Sequence, residues 1–252
     1  MSATATPQAK SDAGLSPSQK ALIGLFVVIG LGYAGWVGYR AYFPEQEPPK
    51  PTDYGDMKTM AERYLRKQKA LPLSGGLVDL LKEAEKSHVA TKPGYPLLGK
   101  TAPDFELIEA LGQKASLHEY LAKGPVVLVF YYGYYCDHCV SQLFDINEDI
   151  KYFQELGAQV IAISADAPDL TLGKYQKFGK FHFPVLSDPG NAVAQKFGVY
   201  APKEKDIAEF LWHGTFVISK EGKIVWAYWG DEPFVGNKTL LYEVAKLEGR
   251  LP

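Results

Sequence analysis

Cysteine is nearly absent from this chain, with two in 252 residues. So few exclude a disulfide framework of the kind that staples small secreted domains. Two Cys also fall short of the four ligands of a closed structural zinc site. An excess of charge is missing as well. Lys and Arg number 27 against 29 Asp and Glu, a net charge of −2, so no nucleic-acid partner is expected. No internal repeat is found. What remains is ordinary globular material, 46% hydrophobic and 22% charged, enough for one sizeable core with additions.

The two Cys stand together as Cys136-Asp137-His138-Cys139. A bridge between them closes a very short loop and restricts the unfolded chain little, so the pair reads as redox chemistry rather than a staple. Its surroundings support that reading. Pro125–Tyr132 (PVVLVFYY) is a continuous apolar, β-branched run, as expected of a strand buried on both faces. A helix is predicted from near Cys136, with Val140, Leu143, Phe144, Ile150 and Phe153 along one side and Gly157 as its stop. At the first turn of a helix, free backbone N–H groups and the positive dipole end stabilise a thiolate. A second Cys three residues on can then resolve what the first one forms.

The same alternation extends to both sides. Ala158–Ser164 reads as a second buried strand and Leu170–Phe178 as its helix. Phe183–Leu186 is followed by a short helix to Phe197. Thr215–Ser219 and Ile224–Trp229 form a hairpin, and a closing helix spans Lys238–Leu247. The pattern predicts an α/β fold whose sheet carries an antiparallel edge. Ahead of it, helices are expected near Met57–Lys69 and Leu77–Lys86, split by Pro72 and Ser74-Gly75-Gly76, with no chemistry assigned to them.

Residues 21–39 carry no charge, with Lys20 and Arg40 just outside. At about 1.5 Å per residue this run is close to the thickness of a hydrocarbon core, and it is expected to be a single transmembrane helix. A cleaved signal peptide is the alternative; its apolar region is usually shorter, and no Ala-x-Ala site precedes Arg40. The resulting division is a disordered, polar tail over 1–20, a span over 21–39, a Pro-rich linker with a helical segment over 40–95, and the α/β domain that carries the Cys pair over 96–252.

Tyr131-Tyr132-Gly133-Tyr134-Tyr135-Cys136-Asp137-His138-Cys139 resembles the thioredoxin active-site stretch, with Tyr135 where an aromatic residue usually precedes the first Cys. The flanks are similar to the peroxiredoxin family (alkyl hydroperoxide reductase/thiol-specific antioxidant). Gly99-Lys100-Thr101-Ala102-Pro103-Asp104-Phe105 resembles that family's opening motif. Phe183-Pro184-Val185-Leu186-Ser187-Asp188-Pro189, Phe197-Gly198-Val199 and Gly214-Thr215-Phe216-Val217-Ile218 resemble its later landmarks. The resemblance implies a thioredoxin-like fold, a central mixed sheet flanked by helices, with no cofactor beyond a redox-active disulfide.

Departures from both patterns are informative. Peroxiredoxins place a Thr three residues and a Pro seven residues before the peroxide-attacking Cys; here these positions hold Gly133 and Val129. The peroxide-site Arg corresponds to the neighbourhood of His213. The thioredoxin buried Asp is replaced by Phe130, and its cis-Pro slot by Gly214, preceded by His213. The resemblance therefore implies a peroxiredoxin-like frame carrying a thioredoxin-like Cys pair, with Cys136 attacking and Cys139 resolving. His138 either tunes Cys136 or is a solvated surface histidine, and Asp137 opposes a thiolate. Tyr134 and Tyr135 are packing residues or a docking surface. Partners are protein thiols and disulfides, or a peroxide. A metal chaperone using Cys136, Cys139, His138 and His213 is the third reading. Tethered proteins of this architecture commonly act outside the cytoplasm, which implies an extracytoplasmic, periplasmic domain.

Overall fold

The computed structural model describes residues 57–204 and 208–252. The expected tail, span and start of the Pro-rich linker lie outside them. Among the described residues, no helix is long and apolar enough to cross a membrane.

The centre is a seven-stranded mixed sheet. Its strands are β1 (Glu106–Glu109), β2 (Lys114–Ser116), β3 (Val126–Phe130), β4 (Gln159–Ser164), β5 (Val185–Ser187), β8 (His213–Ile218) and β9 (Ile224–Gly230). They lie in the order β2-β1-β5-β4-β3-β8-β9. β3, β4 and β5 run parallel, while β1 against β5 and β8 against both β3 and β9 are antiparallel. Every residue of β3 is buried, because successive side chains point to opposite faces and both faces are covered. Val127 and Val129 join one core layer, while Val126, Leu128 and Phe130 join the other. A small separate hairpin pairs β6 (Tyr200–Ala201) with β7 (Phe210–Leu211).

The first layer holds the helices that matter for the site. They are α1 (Met57–Lys67), α2 (Leu77–Ser87), α4 (Asp137–Glu148), α5 (Ile150–Glu155), α6 (Pro168–Phe178) and α8 (Asn237–Leu247). The short helices α3 (Leu117–Leu121) and α7 (Ala192–Lys196) contribute Leu117, Val193 and Ala194 to the second layer. α1 packs on α4 and α2 on α8. The segment between α2 and β1 is fastened in turn, with Trp226 Nε1 donating to the Val89 carbonyl at 2.8 Å. The described residues form one compact unit. The helices at 57–87, placed before the α/β domain by the sequence, pack into its first core layer.

The helix expected to run unbroken from Cys136 to Gly157 is two helices. Asp149 separates them at φ −99°, ψ 6°. Its carboxylate accepts from Leu73 N–H and Asn237 Nδ2, both at 2.8 Å. Two distant segments anchor this side chain, and apolar periodicity carries no trace of them. Nothing in the apolar pattern announces the β1–β2 hairpin either. It is an edge with half-exposed, charge-bearing alternation rather than an apolar run. Ser116 and Glu119 close a capping box at the start of α3, a signature that the spacing does carry.

Candidate active site

β3 delivers the chain to the redox pair and α4 receives it. Cys136 is the N-cap of α4, extended at φ −114°, ψ 112°, and its N–H donates to the Gly133 carbonyl at 3.3 Å. Its own carbonyl accepts from Val140 N–H at 3.2 Å, so the helix begins on Cys136. Cys136 and Cys139 are joined as a disulfide. Cys136 is partly exposed, whereas Cys139 is completely buried in the first core layer. Tyr135 is 54% exposed beside them. The side chain of Asp137, expected to oppose the thiolate, lies outside the description; its backbone forms the first residue of α4.

His138 is drawn into the site. Its Nδ1 and Nε2 lie 3.3 and 3.5 Å from Cys136 Sγ. Its ring centroid is 5.9 Å from that of His213 and 5.9 Å from that of Tyr64. His213 is buried at the start of β8 and stacks on Tyr132 with centroids 4.2 Å apart. Neither of its ring nitrogens makes a hydrogen bond of good geometry. Burial first, and His138 second, push its pKa down to about 4, so His213 is a neutral imidazole at physiological pH. Gly214 pairs with Phe130 at the end of β3. A Cβ there would come within 2.7 Å of Val199 Cγ1, which leaves room for glycine alone.

The turn before Cys136 is held by a residue that sequence reasoning missed. Asp166, just past the end of β4, accepts from Tyr134 N–H at 2.8 Å, and its own N–H donates to Ser164 Oγ at 3.2 Å. Burial raises its pKa, against a lowering from the Tyr134 hydrogen bond. Gly133 sits over it at φ +136°, and a Cβ there would lie 2.6 Å from Asp166 Oδ1. The carboxylate therefore fills the space that a Thr side chain would need. One signal could have found Asp166. It follows the carboxyl end of a parallel strand, where sites of open α/β sheets gather.

As for metal, the sulfur and ring-nitrogen atoms of Cys136, His138 and Cys139 lie within 4.8 Å of one another. That is three potential ligands from a single helical turn, and the fourth member of the sequence-derived set, His213, is not among them. A closed structural site takes four ligands, and both sulfurs here are bonded to each other. Phe130, in place of a buried acid, turns into the opposite core layer against Phe197 and Phe216.

The AhpC/TSA family profile matches residues 98–227. Among curated relatives, the thiol-disulfide oxidoreductase ResA of Bacillus thuringiensis is 28% identical over 142 residues, 56% of this chain and 75% of the relative. A putative peroxiredoxin of Mycobacterium tuberculosis is 32% identical over 129 residues, 50% of this chain and 81% of the relative. Among solved structures, the peroxidoxin BcpB of Mycobacterium tuberculosis superposes with a TM-score of 0.50 at 27% identity. It covers 64% of this chain and 98% of that one.

Proposed function

The chain belongs to the AhpC/TSA family, and we propose that it works in that family as a thiol–disulfide oxidoreductase, with Cys136 attacking and Cys139 resolving. The observation that supports this is the asymmetry of the pair: Cys136 is partly open at a helix start and Cys139 is sealed one turn in. The Cys136 thiolate attacks a partner's disulfide, forming one S–S bond and releasing the partner's second sulfur as a thiolate. Cys139 gives up its proton and attacks Cys136 Sγ, which frees the other partner sulfur. The pair is oxidised by two electrons and the partner reduced by two, and the reverse sequence oxidises a dithiol. A Cys139→Ser variant is expected to retain protein partners as mixed disulfides with Cys136. Failure to trap any, with no exchange by the wild type, would overturn the reading.

Peroxide is the second substrate class, favoured by the peroxiredoxin relative. The Cys136 thiolate would attack one peroxide oxygen and become a sulfenic acid, the other oxygen leaving as water or an alcohol, and the Cys139 thiol would condense with it to the disulfide, releasing water. Gly133 offers no hydroxyl donor where the family carries Thr, and loss of one such donor typically lowers a rate by about 10² to 10³. Peroxide turnover is therefore placed well below disulfide exchange. Comparable rates in a direct assay would reverse that order.

The uncharged run over 21–39 supports a retained single span, with the domain on the extracytoplasmic (periplasmic) side, where a disulfide persists. Carbonate extraction is expected to leave the intact chain in the membrane pellet. A soluble fragment starting beyond residue 34 would indicate cleavage instead.

A further inference from the structure

The family match begins at residue 98, yet a residue well ahead of it lies against His138, which itself contacts Cys136. Tyr64 lies on α1, whose buried face, Met57, Ala61 and Leu65, packs against α4. Ser141 Oγ on α4 donates to the Ala61 carbonyl at 3.4 Å, tying the two helices together. From this platform the Tyr64 hydroxyl donates to Glu232 Oε2 at 2.8 Å, on the loop that follows β9. Burial and the Glu232 hydrogen bond both raise the phenol pKa, which keeps the hydroxyl a donor. Between these two anchor points the Tyr64 ring is tilted 38° to that of His138, with centroids 5.9 Å apart.

We propose that Tyr64 is a positioning residue for the redox pair: tethered to Glu232, its ring keeps the His138 imidazole against Cys136 Sγ. The inference rests on the thiol-exchange reading above and deepens it, assigning a role in that chemistry to a helix outside the family segment. The physics has two parts. A ring face within about 6 Å attracts a cation, and an imidazole confined by its neighbours spends more time beside the sulfur than a free rotor. When protonated, His138 stabilises the Cys136 thiolate of the reduced form and interacts far less with the uncharged disulfide, so the pair becomes more oxidising. Asp137, next in the chain, works against that charge, and the rings described beside His138 carry none. His213 is neutral, Tyr64 is a phenol, and Glu232 is bound to the Tyr64 hydroxyl.

The test uses the full-length chain in detergent, equilibrated against glutathione redox buffers, with Cys136 alkylation followed against pH. His138→Ala is expected to lower the reduction potential of the pair and raise the Cys136 pKa. Tyr64→Ala is expected to move both in the same direction, by up to tenfold in the exchange equilibrium constant, or about 30 mV. Tyr64→Phe keeps the ring but loses the tether and is expected to fall between. Combined with His138→Ala, Tyr64→Ala should add nothing, since its effect runs through the imidazole. An unchanged potential in Tyr64→Ala, or an equal shift with and without His138, would overturn the proposal. If Tyr64→Ala does not fold, Tyr64→Phe, which removes only the hydroxyl, and Glu232→Ala, which removes its exposed acceptor, carry the same comparison. Disulfide exchange by the wild type tests the underlying reading independently.

Discussion

At Gly133 the backbone turns through φ +136° with the Asp166 carboxylate against it, and with Val129 and His213 it is one of three positions where the chain departs from the peroxiredoxin pattern. Restoring the hydroxyl by Gly133→Thr should not create a peroxidase. A β-branched residue at that angle is strained by about 1–3 kcal/mol, and its Cβ would press on the Asp166 carboxylate that holds Tyr134 N–H. The expected outcome is a lower melting temperature and slower disulfide exchange, with no gain in peroxide consumption; a tenfold gain in peroxide rate would contradict the packing argument. At this scale the pairing itself was legible: two Cys three residues apart at a strand-to-helix junction are joined as a disulfide. The environment of His138 was only half legible. Its spacing from Cys136 is local, while Tyr64 and His213 lie 74 and 75 positions away from it. Asp166 was half legible too: its place just past the carboxyl end of β4 was a signal, but nothing in the turn 131–135 names the acid that supports it.

Among the elements, the junction of α4 and α5 is the most informative. Asp145 is buried there, and its pKa is pushed up to about 7, by burial first and then by the charge of Asp149. In the unfolded chain an aspartate titrates near 3.9. Between those two values the folded protein holds a proton that the unfolded chain releases, so this group makes stability fall as pH rises from about 4 to about 7, and leaves it reduced above. Asp145→Asn removes the titration. Its melting temperature relative to wild type should therefore rise between pH 5 and pH 8; an equal difference at the two values would place the effect elsewhere. Asp149 behaves differently. Burial raises its pKa too, but the Leu73 and Asn237 hydrogen bonds oppose the rise, and it anchors the 69–76 connection. The helix break at Asp149 could not be read from the chain, since the apolar face continues through Ile150 and Phe153. The long buried strands β3 and β4 could, because continuous β-branched runs leave little choice when both faces are covered.

For the molecule as a whole, the helices at 57–87 are the decisive addition. Met57, Ala61, Leu77, Leu80 and Leu81 belong to the same core layer as Cys139, Val140 and Leu143. Leu81→Ala, at a site 2% exposed, should cost about 2–5 kcal/mol. A chain starting at residue 97 should bare the apolar faces of α4 and α8 and unfold at a lower temperature or aggregate, as thermal melts and light scattering would report. A truncated domain as stable as the chain from residue 57 would contradict the core assignment. From the sequence alone came the α/β class, the strand–Cys–x–x–Cys–helix junction, the closing hairpin and helix, and the existence of both early helices. These are short-range facts, carried by the periods of 2.0 and 3.6 residues and by cap and turn residues. The tertiary structure alone decided what those helices lie against and which carboxylate supports the active-site turn. It also decided which rings surround His138 and why only glycine fits at 133 and 214. Each of these depends on side chains brought together from distant parts of the chain, and local periodicity holds no record of that meeting.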